Sequence, residues 1–243
     1  MISIISINYN NKFGLLNTLT SVFNQTFRDF EFIIIDGGSE DGSIELLQEY
    51  SSQIAYWVSE KDRGVYHAMN KGLAKAKGDY CLFLNSGDCL ITKDVLKNVS
   101  EVITNTNSIY DLYYGCHIWR ETGERWNPKR DFRMCEVLDH TPIPHQASFF
   151  STNKLKLIGG YKEEFSIISD WGMLLDFMRN KFRFYKLELD ICICEPPGVS
   201  QKPKTFILTE RRNYLWDYHT SYFFIYILNK SYRFITSNLK NNA

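Results

Sequence analysis

The 243-residue chain has no surplus of either charge, because 28 Lys and Arg face 28 Asp and Glu. A domain that grips nucleic acid through its phosphates is ordinarily basic, so the balance argues against that partner. No apolar run approaches the roughly 18 to 20 residues that a membrane-spanning helix needs. The start, MISIISINYNN, has neither the basic stretch nor the cleavage site of a secretory leader. The six cysteines (Cys81, Cys89, Cys116, Cys135, Cys192 and Cys194) fall at irregular spacings with no C-x-x-C pair. They read as reduced, buried thiols and not as a disulfide framework. Together these features predict a cytoplasmic protein. Two cofactor signatures are also missing. The turn after the first apolar run is NYNNKFG, with one glycine where a dinucleotide fingerprint wants G-x-G-x-x-G, and no G-x-x-x-x-G-K phosphate loop occurs.

Hydrophobic residues make up 44% and charged residues 23%, a composition that can bury a substantial core. The first half alternates two periodicities. Ile2–Ile7, Phe30–Ile35, Ile54–Val58 and Tyr80–Leu84 are short β-branched or aromatic runs of buried-strand type. Between them Leu15, Leu16, Leu19, Val22 and Phe23, then Ile44, Leu47 and Tyr50, then residues 64–76, recur at helical spacing, and Val95, Leu96, Val99 and Ile103 follow. In the 64–76 segment Ala68, Gly72 and Ala76 are small enough for close packing. This alternation implies a mostly parallel sheet flanked by helices. The second half is less regular. Tyr110–Trp119, Gln146–Phe150 and Phe182–Cys194 read as strands, Glu121–Glu124 as a hairpin turn, a helix starts near Asp170, and residues 127–145 read as a loop crossing the site.

Ligands of such sheets bind outside the carboxyl ends of the strands. Three strand ends are polar here: Asn8-Tyr9-Asn10, Asp36-Gly37-Gly38 and Asn85-Ser86-Gly87-Asp88. The first suits contact with a nucleoside. Asp36 can accept from a base or a ribose, and Ser39 or Asp41 can cap the next helix without competing for that role. Asp88 can hold Mg2+ or Mn2+, or can close an Asx turn. Asp170, in Ser169-Asp170-Trp171, read alone fits an N-cap. Lys61, Arg63 and Lys71 can meet phosphate or form a solvated face. His67 and His117 lack a partner pattern and read as structural. His140 and His145 frame a loop and match no zinc spacing.

The ordered set ISIISINYNN, FEFIIIDGGSEDGS, SEKDRGVYHAMNKGLAKAKGDYCLFLNSGD, HQASFF and GGYKEEFSIISDW resembles the family 2 glycosyltransferases over roughly residues 2 to 195. The resemblance implies an α/β GT-A fold. Its nucleotide-binding half would span 1–105 and its acceptor half 106–200, with a helical appendage over 201–243. It places Asn8, Tyr9, Asn10 and Asp36 around the nucleoside, and Asp62, Arg63 and Asn70 over ribose and diphosphate. Asn85 to Asp88 takes the place of the metal-binding D-x-D-type motif, with Asp88 keeping the only charge. Asp170 matches the general base of inverting members, while His145, Gln146 and Trp171 face the acceptor. The implied reaction is transfer of a sugar from a nucleoside diphosphate sugar to a glycan or glycolipid hydroxyl, assisted by Mg2+ or Mn2+. A silent nucleotide-sugar-binding subunit is the rival reading, and Asp88 and Asp170 argue against it. A sugar nucleotidyltransferase would want a glycine-rich basic loop where NYNNKFG stands.

The last 42 residues, 202–243, hold seven basic and two acidic residues, a surplus of five, and ten aromatic ones. Basic groups with aromatic rings suit a membrane interface. An amphipathic helix packed on the catalytic domain or on a second subunit explains the same pattern. The expectation is thus a cytoplasmic enzyme, with peripheral membrane contact or oligomer contact through the tail.

Overall fold

The computed structural model describes residues 1–195, 203–224 and 226. Elements run in the order β1 (Ile2–Asn8), α1 (Lys12–Phe23), β2 (Phe30–Asp36), α2 (Ser43–Glu49), β3 (Tyr56–Ser59), α3 (Val65–Lys75) and β4 (Tyr80–Phe83). There follow β5 (Cys89–Leu90), α4 (Val95–Asn105), β6 (Leu112–Trp119), β7 (Arg125–Trp126), α5 (Met134–Asp139) and a 3-10 turn at His145–Ala147. The described chain ends with β8 (Ser148–Ser151), α6 (Thr152–Leu157), α7 (Ser169–Arg179), β9 (Phe184–Cys194) and α8 (Lys204–Tyr218).

One nine-stranded sheet runs in the order β3-β2-β1-β4-β8-β6-β9-β5, with β7 paired to β6. β1 pairs in parallel with β2 and β4, and β2 with β3, as the alternating first half predicts. In-register pairing sets Asn8 beside Asp36, so two polar strand ends meet by construction. The second half mixes directions. β8 is antiparallel to both β4 and β6, while β6 and β9 run parallel with register shifts around Cys116. Strand β1 is apolar on both faces because each is covered. Ile5 belongs to a core with α3, α5 and α7, and Ile2 and Ile4 to one with α1, α2 and α4. The small residues of α3 serve as expected, since a Cβ on Gly72 would lie 2.4 Å from Ile5 Cγ2.

Several boundaries differ from the sequence expectation. Residues 127–145 contain α5, whose Val137 and Leu138 are buried. The strand expected at Gln146 begins at Ser148, because His145–Ala147 forms the 3-10 turn. β5 and α6, too short to carry a period, had no sequence signal. In the tail, α8 packs on the domain through Tyr214 and Leu215, both with no exposed surface. This supports packing for residues 204–218. The expectations for residues 196–202, Ile225 and 227–243 lie outside the described residues. Among the described residues no helix is long and apolar enough to cross a membrane.

Candidate active site

A crevice of about 970 Å³ opens along the carboxyl ends of β1, β2 and β4 and continues past β6. At its first end Asn8 Nδ2 donates to Asp36 Oδ1 at 2.7 Å. The other donors to Asp36 are Ser39 Oγ at 2.6 Å, Gly38 N at 3.1 Å, Ser39 N at 2.9 Å and Ser59 Oγ at 2.6 Å. Burial pushes the Asp36 carboxyl up, but hydrogen bonds from Ser39, Ser59 and Asn8 outweigh it and hold the group below its ordinary value. Asp36 has no exposed surface, whereas Gly37 and Gly38 line the crevice. Asp36 therefore builds the turn and is not set to touch a base directly, contrary to the sequence expectation. Asn10 differs too. Its amide donates to Ser39 Oγ and its Oδ1 accepts from Glu40 N, so it braces the loop outside the lining. Tyr9 is 68% exposed and stands against Gly37, where a Cβ would lie 3.1 Å from the ring. The absence of that Cβ leaves a flat ring beside bare backbone.

Along the α3 side, Lys61 and Asp62 line the crevice, and Asp62 Oδ1 meets Lys71 Nζ at 2.8 Å and His67 Nδ1 at 3.0 Å. Arg63 and Asn70 do not line it. The Arg63 guanidinium pairs with Glu163 at 2.7 Å. The Asn70 amide donates to Tyr161 O and accepts from Tyr161 N, which ties α3 to the segment before α7. Both act as fasteners in this structure.

At the centre, Thr18 of α1 fixes the turn after β4. Its hydroxyl donates to Asp88 O at 2.8 Å and accepts from Gly87 N at 3.0 Å. The Asp88 side chain is buried, and burial raises its carboxyl to about 6. Its Oδ1 accepts from Glu195 N at 3.0 Å. Among the described residues buried Asn85 Oδ1 and Ser86 Oγ have no partner. A hard cation wants such oxygen donors and completes its shell with phosphate and water. Asp88 with the Asn85 carbonyl fits that requirement. No three His, Cys, Asp or Glu gather as an all-protein metal cage among the described residues.

The first turn of α7 presents Asp170 to the same crevice. Its Oδ1 accepts from Trp171 N at 2.8 Å and lies 3.5 Å from Tyr66 Oη. Its Oδ2 lies 3.6 Å from His145 Nδ1. Asp170, His145 and Gln146 all line the crevice. Trp171 does not. It is 1% exposed, with Nε1 donating to Val137 O and Arg211 stacked at 4.9 Å over the ring. It anchors α7, which overturns its expected contact with an acceptor. Aromatic lining comes instead from Trp119 and Trp126, with Glu195 beside them. His117, read from sequence as structural, stacks with Trp126 and lines the same wall. Burial first, and then His145, lower its imidazole to about 4, and neither ring nitrogen has a partner among the described residues. The hairpin offered the missed signal. His117 and Trp119 are two apart on β6, and Trp126 pairs opposite His117.

A sheet of this order joins its polar strand ends in one crevice, the place where open α/β sheets bind their ligands. The family model described as "Glycosyl transferase family 2" matches residues 3–160, and the chain belongs to that family. An uncharacterized glycosyltransferase of Mycobacterium tuberculosis is 37% identical over 177 residues, 72% of this chain and 67% of the relative. A Mycobacterium bovis protein named "PGL/p-HBAD biosynthesis glycosyltransferase" is 33% identical, covering 63% of this chain and 60% of its own length. Among solved structures, Staphylococcus aureus TarS 1–349 in complex with UDP-GlcNAc superposes with a TM-score of 0.71 at 18% identity, over 88% of this chain and 66% of that one. A Pyrobaculum calidifontis mannosyltransferase in complex with GDP-Man and Mn2+ gives 0.60 at 16% identity, over 87% and 60%. These two likenesses concern the fold. The protein is a family 2 glycosyltransferase with a GT-A-like architecture.

Proposed function

We propose that the chain moves a sugar from a nucleoside diphosphate sugar to a hydroxyl of a glycan or glycolipid acceptor, with inversion at the anomeric carbon. The observation that carries this reading is the single crevice. Tyr9, Gly37, Asp88 and Asp170 all line it, which supports one seat for base, diphosphate and reacting carbon. The UDP-GlcNAc and GDP-Man complexes of the structural neighbours support a nucleotide-sugar donor, and the relative named for PGL/p-HBAD biosynthesis supports a glycolipid acceptor.

The base stacks on Tyr9 and meets the peptide groups of Gly37 and Gly38. Lys61 lies against the diphosphate. Mg2+ or Mn2+, held by Asp88 and the Asn85 carbonyl, would supply positive charge against the leaving nucleotide, as the Mn2+ in the mannosyltransferase complex supports. Asp170 takes the proton of the acceptor hydroxyl while that oxygen bonds the anomeric carbon. The bond from this carbon to the phosphate oxygen breaks, and its electron pair leaves on the nucleoside diphosphate. His145, 3.6 Å from Asp170, orients the carboxylate, and Gln146 with the Trp119–Trp126 wall receives the acceptor ring. Exposed Phe206 and Trp216 on α8, with Phe224 beyond it, suit a peripheral approach to a lipid-linked acceptor.

The direct test is Asp170→Asn. Transfer should fall by roughly 10² to 10⁴ while nucleotide affinity stays within about twofold. Near-normal transfer removes Asp170 as the base. Chelation should also abolish transfer, with recovery on adding Mg2+ or Mn2+. Full activity in chelator removes Asp88 and Asn85 as cation ligands.

A further inference from the structure

The segment that delivers Asp170 is held from the tail. Residues 162–168 have no regular structure, yet Ser166, Ile167 and Asp170 all line the crevice. Glu210 of α8 reaches back to this segment. Its Oε1 accepts from Ser166 N at 2.7 Å and its Oε2 from Ile167 N at 3.0 Å. The Glu210 residue is 8% exposed, so both bonds are charge-assisted and largely shielded from water. The next peptide group is held as well, where Tyr66 Oη donates to Ile167 O at 2.5 Å. Ile168 then caps α7, its carbonyl accepting from Gly172 N.

Helix α8 is itself fixed to α7, so Glu210 cannot drift from the helix that carries Asp170. A Cβ on Gly172 would lie 2.2 Å from the Tyr214 ring, which shows how close the two helices approach. Tyr214 Oη donates to Asp176 Oδ2 at 2.9 Å, and His219 Nε2 meets Asp176 Oδ1 at 2.8 Å. Arg211, next to Glu210, covers Trp171, next to Asp170.

We infer that Glu210 is a positioning residue for the transfer step: its carboxylate clasps two consecutive backbone amides and thereby sets the entry of α7 that aims Asp170 into the crevice. This rests on the reading of Asp170 as the base. It gives the appendage a part in catalysis that is separate from any membrane contact. The carboxylate is the feature that matters, because it offers an acceptor oxygen to each amide. A glutamine offers one acceptor, and its NH2 would face the second amide donor to donor. Proton transfer depends steeply on placement, so a small misplacement of Asp170 lowers turnover without touching the distant nucleotide end.

The test is Glu210→Gln in the full chain. Hydrogen exchange at Ser166 and Ile167, UDP and GDP titration with Mn2+, and turnover per folded molecule of UDP-GlcNAc or GDP-mannose are measured together. The expected result is at least tenfold faster exchange at the two amides, nucleotide affinity within twofold, and kcat at least tenfold lower with donor KM unchanged. Glu210→Asp keeps the carboxylate on a shorter stem and should fall between wild type and Gln. It carries the same test should Gln prevent folding. Faster exchange with unchanged kcat overturns the inference. So does a loss of kcat that comes only with weaker nucleotide binding and a global loss of protection. Asp170→Asn run in parallel separates the two claims: if it is silent while Glu210→Gln turns over normally, the clasp alone is wrong, and if it is active, the base assignment itself has failed.

Discussion

At the β1–β2 end of the crevice most polar side chains hold one another, although buried Asn8 Oδ1 has no partner among the described residues. Asp36 takes five hydrogen bonds, and Asn10 and Ser39 are both engaged. Between β4, β6 and His145 the pattern reverses. Asn85 Oδ1, Ser86 Oγ, both His117 nitrogens and His145 Nε2 are buried without a partner among the described residues. Buried polar groups are ordinarily paired, so the second end is where a ligand's own donors and acceptors have most to satisfy. In the proposed reading the first end recognises by shape, through a flat ring and peptide groups fixed in advance, and the second by hydrogen bonds that remain to be made. This division suits a donor whose nucleotide must dock in one pose and whose sugar and acceptor present many hydroxyls.

Three substitutions break or sharpen this contrast. The largest effect belongs to Asp36→Ala, which strands five donors and should lower folding stability by about 3 to 4 kcal/mol. Chemical denaturation checks it, and a loss below about 1 kcal/mol would mean the turn is not built on Asp36. His117 gives the next effect. Its folded value of about 4 lies below the usual 6.5, so its stabilising contribution is present above 6.5 and is lost as pH falls towards 4. In chelator, the wild type should lose about 2 kcal/mol more than His117→Gln between pH 7.5 and 4.5. Identical pH profiles would place a proton-accepting partner on the ring. The smallest effect is Tyr9→Ala. It should leave stability within about 0.5 kcal/mol and weaken nucleotide binding roughly tenfold, the value of one stacked base. Unchanged affinity in a titration would remove Tyr9 as the platform.

The two halves also differ in how readily the sequence discloses them. In the first half β1 to β4 are short runs of β-branched or aromatic residues and each helix has its own period, so their order, the parallel pairing and the polar strand ends at Asn8, Asp36 and Asp88 follow from local pattern. The second half depends on contacts between distant segments. Trp171 has the sequence context of a site residue, yet its indole is buried against Val137 and Arg211, segments that lie 34 and 40 positions away. Arg63 and Asn70 sit on the right helix, but Glu163 and Tyr161 claim them. Glu210 lay in a stretch whose composition left a membrane-facing and a packed helix open and singled out no carboxylate. Residue type marked the strand ends from which Asn8, Tyr9, Asn85 and Asp88 line the crevice, while Asn10 and Asp36 do not. It did not predict which of them already had a partner there.

The central claim is that one crevice seats the nucleotide on Tyr9 and Gly37 and brings the anomeric carbon between Asp88 and Asp170. The most direct measurement is a structure of the protein with an intact nucleoside diphosphate sugar and Mn2+. The account predicts the base against the Tyr9 ring, the diphosphate beside Asp88 and Lys61, and the anomeric carbon with one face open to Asp170 and the other bearing the phosphate oxygen. A sugar whose anomeric carbon is turned away from Asp170, or a nucleotide bound outside this crevice, would contradict it.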